Sequence, residues 1–95
     1  SLLDYSEAIK IRPDAESYHK RGAIFYTKGD SDRAISDFNS AIQIDPQYAA
    51  SYVMRSSIYL DKGDYDKGQA DAFKAESLGV KIPSKLLEKL EKAKR

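Results

Sequence analysis

Apolar residues recur along this chain at spacings of three and four, the pattern of helices that each bury one face. Leu2, Tyr5, Ala8 and Ile9 fall on one side of a first segment, which Arg12 and Pro13 end. The spacing predicts a second helix over Ala15 to Lys28, with Tyr18, Gly22 and Phe25 turned inward, and a third over Ser31 to Ile44, with Ala34, Phe38, Ala41 and Ile42 as its stripe and Ile35 beside it. A fourth starts at Tyr48 or Ala49 and runs to Lys62, and a fifth spans Tyr65 to Leu78. The closing segment, Ser84 to Arg95, sets Leu86, Leu87, Leu90 and Ala93 against a face of lysines and glutamates. Punctuation agrees with these bounds. Asp14, Asp30 and Asp64 stand where a carboxylate can accept from the free amides of a first turn, Gly29, Gly63 and Gly79 where a helix ends in a left-handed residue, and Pro46 and Pro83 where a helix cannot continue.

The segments are not independent. Tyr18 returns as Tyr52, Arg21 as Arg55, Phe25 as Tyr59, the run Lys28, Gly29, Asp30 as Lys62, Gly63, Asp64, Asp37 as Asp71 and Ala41 as Ala75, all at one offset of 34 residues. The run Asp4 to Pro13 parallels Asp37 to Pro46 at an offset of 33, so it reads as the second helix of a preceding unit joined by a linker one residue shorter. A 34-residue unit that opens on an aromatic, carries a small residue four places later, turns on Gly-Asp and closes Ala41, Ile42, Ile44, Asp45, Pro46 resembles the tetratricopeptide repeat. The resemblance implies an all-α fold, a solenoid of helix-turn-helix repeats. The expected division is residues 1–13 as the second helix of a truncated repeat, 14–48 and 49–82 as full repeats and 83–95 as a C-terminal capping helix, one structural domain in all. The chain begins without Met and inside a structural unit, so it reads as an excerpt of a longer protein.

Folding each unit about its glycine places residues equidistant from the turn opposite one another. Arg21 then faces Asp37 and Arg55 faces Asp71, two expected interhelical ion pairs. Gly22 and Ala34 in one unit correspond to Ser56 and Gly68 in the next, a larger residue on one helix matched by a smaller one across from it, as close packing requires.

Composition narrows function mainly by exclusion. A net charge of +1 with 33% charged residues gives no long-range attraction to nucleic acid or an anionic membrane surface, and no apolar run reaches the length of a membrane span. With no cysteine, disulfides and thiolate metal sites are excluded. The single histidine, His19, has only Glu16 at helical spacing and no third ligand. Asp30, Asp32, Asp61, Asp64 and Asp66 gather at the turns without the alternating spacing of a calcium loop. No paired carboxylates, phosphate loop or nucleophile constellation stands out, so the chain reads as non-catalytic and free of cofactors. Tyr5, Tyr18, Tyr52 and Tyr59 fall on apolar faces and are assigned to packing, and the C-terminal lysines, interrupted by Glu88 and Glu91, to a solvated face. The compartment stays open, with a soluble, cytoplasmic setting slightly favoured.

In repeats of this family the first helices line a concave side that touches ligands. The resemblance places Glu16, His19, Ala23, Tyr26 and Thr27 there in one repeat and Ala50, Val53, Ser57, Leu60 and Asp61 in the next. Tyr26, Val53 and Leu60 are apolar where a plain solvated surface would be polar, which points to a groove for a peptide or protein segment. A subclass binds the acidic tails of chaperones through lysine, asparagine and arginine on successive first helices. Here the matching places hold His19 with Ala23, Val53 with Ser57, Lys20, and Ala50 with Met54, so no such tail is expected. The alternative is self-association into a homo-oligomer through the apolar face of Leu2, Leu3 and Tyr5.

Overall fold

Three aspartates start helices as their positions require. Asp14 Oδ1 accepts from the Ser17 amide at 2.8 Å, Asp30 from Arg33 at 3.1 Å and Asp64 from Lys67 at 3.4 Å. In the computed structural model, which describes residues 1–94, the helices are α1 (Leu2–Ile11), α2 (Ala15–Thr27), α3 (Ser31–Ile44), α4 (Ala49–Asp61), α5 (Tyr65–Ser77) and α6 (Ser84–Ala93). Arg95, the last residue of the expected closing segment, lies outside the described residues. Among the described residues there is no strand. Lys28, Lys62 and Leu78 are the C-cap residues that follow α2, α4 and α5.

The two Gly-Asp turns are built alike. At Gly29 φ is +88°, which lets its amide donate to Tyr26 and the Asp30 amide reach back to the Phe25 carbonyl at 2.9 Å. Gly63, at φ +83°, does the same toward Leu60 and Tyr59. Two orphan carbonyls at each helix end are thereby satisfied and the chain reverses.

Reversal brings the ion pairs together as the register requires. Arg21 Nε and Nη2 donate to both carboxylate oxygens of Asp37, at 2.8 and 2.7 Å, and Arg55 holds Asp71 the same way at 2.7 and 2.8 Å. Spare donors reach the preceding second helix, Arg21 Nη1 to Ser6 and Arg55 Nη1 to Asn39. The rings of Tyr18 and Phe25 each lie 5.8 Å from the Arg21 guanidinium. Tyr18, Tyr59 and Tyr5, expected in the core, are therefore only half-buried: the first two serve as platforms for cations. Tyr52 alone of the four is buried, its hydroxyl donating to the Pro46 carbonyl at 3.0 Å. Because each Arg–Asp contact is bidentate and partly shielded from water, a double-mutant cycle on Arg21→Met and Asp37→Asn is expected to show about 1 to 3 kcal/mol of coupling. Additive losses in urea unfolding would reject it.

The small residues mark the closest approaches. Ser56 donates to the Gly68 carbonyl at 2.6 Å, which fixes α4 against α5 at the expected crossing. Gly22 sits under side chains of the next turn of α3: a Cβ there would lie 2.9 Å from the Phe38 ring and 3.1 Å from the Asp37 Cβ, so these are its nearest neighbours. Two clusters form the core. Ala34, Phe38 and Ile58 join the two repeats, while Tyr52, Leu60, Ala72, Ala75, Ile82 and Leu86 bind the second repeat to α6. On α6 Leu86 is buried and Leu90 and Ala93 pack beside it, but Leu87, expected on the same face, points outward. The result is a row of hairpins measuring 44 × 27 × 19 Å.

Candidate functional site

The first helices α2 and α4 are joined by a histidine. His19 Nδ1 lies 2.8 Å from Ser51 Oγ, and the ring packs against Phe38 and Tyr48 at centroid distances of 5.2 and 5.3 Å. His19, expected along the exposed stripe, is thus half-buried in the seam between repeats. Burial, and secondarily the Lys20 charge, lowers its pKa from the ordinary 6.5. The folded chain then binds this proton more weakly than the unfolded one, so stability present at neutral pH declines as pH falls through 6.5. Melting temperature is expected to drop between pH 7 and 5.5, and His19→Gln to flatten that segment of the profile. An unchanged slope in the variant would remove His19 as the cause.

Half a helix further on, Tyr26 of α2 meets Ser57 and Asp61 of α4. Its hydroxyl donates to Asp61 Oδ2 at 3.0 Å and lies 3.2 Å from Ser57 Oγ. Lys89 of α6 closes the group: its Nζ lies 2.9 Å from Asp61 Oδ1, 2.7 Å from Ser57 Oγ and 3.3 Å from the Tyr26 hydroxyl. Burial by itself would lower the Lys89 pKa, but hydrogen bonds to Asp61 and Tyr26 outweigh it and raise the pKa above the ordinary lysine value. Three members of the expected binding stripe therefore already hold a cation supplied by the chain.

Leu60 is a correction of another kind. Expected on the groove surface, it is 7% exposed, in the cluster with Ile82 and Leu86 and against Gly68, because α6 covers its side of α4. Val53 is half-buried and packs against the same cluster.

What remains accessible lies at the two ends of the stripe. Glu16 and Ala50 are exposed, Glu16 pairing with Lys20 at 3.2 Å. Thr27 is exposed, its hydroxyl turned back to the Ala23 carbonyl at 3.0 Å. Ala23, Ile24, Thr27 and Lys28 line an open, mainly apolar hollow of about 310 Å³. Ala23 and Thr27 are the counterparts, 34 residues earlier, of the Ser57 and Asp61 that receive Tyr26, so the hollow occupies the place where a neighbouring first helix docks in the next repeat.

Sequence reasoning missed two residues. Ile24 could have been found by carrying the offset through, since its counterpart Ile58 is fully buried between repeats. Lys89 carried no such signal: it is one of several lysines on α6, and only the docking of that helix beside Asp61 singles it out. On α1, Leu3 is 68% exposed while Leu2 and Tyr5 are half-buried, so part of the face assigned to self-association is open.

Among the described residues no three acidic or histidine side chains gather as a metal site, and no helix is long and apolar enough to cross a membrane. Two family models, both described as tetratricopeptide repeat, match residues 15–48 and 49–78. Curated proteins provide no match to the chain.

Proposed function

This chain belongs to the tetratricopeptide repeat family, whose members are in general protein-interaction modules, and on that premise we propose that it is a non-catalytic scaffold binding a peptide or protein segment along its first helices. The observation that carries the reading is the stripe of His19, Ala23, Tyr26 and Val53 along the first helices, mixed in character and neither fully buried nor uniformly charged. Glu16, His19, Ala50 and Val53 lie at one end of the surface, and Tyr26, Ser57 and Asp61 at the other. A peptide selected from a random displayed library should shift the amide resonances of Glu16, His19, Ala23 and Ala50 on titration. Shifts confined to α3 and α5 would overturn the reading.

The second reading, self-association through the N-terminal face, is favoured by the exposure of Leu3 next to Leu2 and Tyr5. It requires a dimer in light scattering that dissociates on combining Leu2→Glu and Leu3→Glu. A wild-type monomer at high concentration excludes it.

A further inference from the structure

Helix α6 rests on its neighbours differently from α4. Helix α4 rests mainly on the second helix of the preceding hairpin, α3, and only slightly on the first, α2. Helix α6 does the reverse, resting more on the first helix α4 than on the second helix α5. A helix that merely continued the stack would sit on α5 as α4 sits on α3. Instead α6 leans on the first helix α4, and the Lys89 side chain reaches on to Tyr26 of α2, the first helix of the preceding repeat.

From this placement we propose that the groove is built to receive an amphipathic helix bearing a lysine, and that α6 is the chain's own occupant of that site, to be exchanged for a partner helix of the same chemistry. The proposal rests on the groove reading above and specifies its ligand. Leu86, Lys89, Leu90 and Ala93 present the i, i+3, i+4, i+7 spacing by which helices anchor in apolar grooves. Leu86 enters the cluster around Leu60 and Tyr52, Leu90 and Ala93 pack beside it, and the ammonium of Lys89 meets the Asp61 carboxylate with two hydroxyls. Charge complementarity fixes the register, since Asp61 is the carboxylate that pairs with Lys89. Exchange is compatible with the attachment of α6. Its ten residues are fewer than the roughly 12 to 15 that hold a helix in isolation. Its first turn has no side-chain cap, and it follows a non-helical connection after Gly79. Helix α6 therefore stays helical by virtue of docking, and a partner helix wins by binding the groove.

The experiment uses the full chain and a labelled, N-acetylated peptide with the sequence of residues 84–94 as the probe. In the wild type, the tethered α6 has an effective concentration on the order of millimolar, so micromolar peptide should bind weakly if at all. Lys89→Glu, which sets a carboxylate against Asp61, should open the site and tighten peptide binding at least about tenfold. Lys89→Ala, which adds no repulsion, should give a smaller gain in the same direction and serves as the control if Lys89→Glu unfolds. Asp61→Lys should refuse the wild-type peptide and accept one in which the lysine at position 89 is replaced by glutamate.

Peptide affinities that are equal for the wild type and both Lys89 variants would overturn the proposal. So would an Asp61→Lys chain that does not discriminate the two peptides. If these tests fail while a library-selected peptide still shifts Glu16, His19 and Ala50, the groove reading stands without this ligand. If no library peptide shifts that surface, the groove reading itself is lost.

Discussion

Gly68→Leu is expected to destabilise the chain by about 3 kcal/mol or more. An ideal Cβ at Gly68 would sit 2.6 Å from Leu60 Cδ2 and 2.7 Å from its Cγ, with the Ser56 carbonyl at 3.3 Å. Leu60 cannot swing clear, because it is packed in the cluster with Ile82 and Leu86. A leucine would also force apart the helices that the Ser56 hydroxyl ties to the Gly68 carbonyl at 2.6 Å. Exchange of an interior helical glycine for alanine gains about 1 kcal/mol of helix propensity where space allows, so Gly68→Ala isolates the steric cost from that gain. For a domain of this size the leucine variant should melt about 12 °C or more below the wild type. A melting temperature within a few degrees of the wild type would reject the α4–α5 crossing.

Phe38→Ala should cost about 3 to 5 kcal/mol, a large part of the roughly 5 to 15 kcal/mol that holds a small domain together. The ring is completely buried, lies over Gly22 on its own hairpin and packs with Ile58 on the next. Its loss leaves a void bounded by the two repeats, and His19, stacked on it at 5.2 Å, loses a wall as well. The seam therefore weakens together with the hairpin. Hydrogen exchange should speed up in both α2 and α4, whereas a gap confined to one repeat would speed it up in α2 and α3 alone.

The elements were legible because their signals are local. Aspartate caps, left-handed glycines and the proline after Asp45 act within one turn, so the bounds of α1 to α5 could be read to within a residue. The Arg21–Asp37 and Arg55–Asp71 pairs were legible because equal distance from a tight turn fixes which residues face each other. The site was only partly legible, since the stripe on α2 and α4 follows from helical period, but what covers it does not. Leu60 and Tyr26 stand at equivalent positions, and their fates differ because their neighbours differ: Tyr26 meets the polar face of α4, while Leu60 meets the apolar face of α6. Lys89 meets Asp61 where Ile82 and Leu86 dock the last helix into the core, a tertiary outcome with no repeat partner to compare. The nearest neighbour of Gly22 was not legible for a related reason. Register about the turn gives the level along the hairpin, but the size of the Phe38 ring decides which side chain fills the gap.

The bidentate Arg–Asp clasps also bear on how such a row of hairpins yields to tension. Within each hairpin the helices share their most extensive contact and are clasped by a charged pair, while successive hairpins meet over a smaller area through hydroxyls, an imidazole and one aromatic cluster. Pulled from its ends, the chain should part between hairpins before any hairpin unwinds, extending in steps and closing again when the load is released. The repeat is then an elastic element whose compliance resides in its seams.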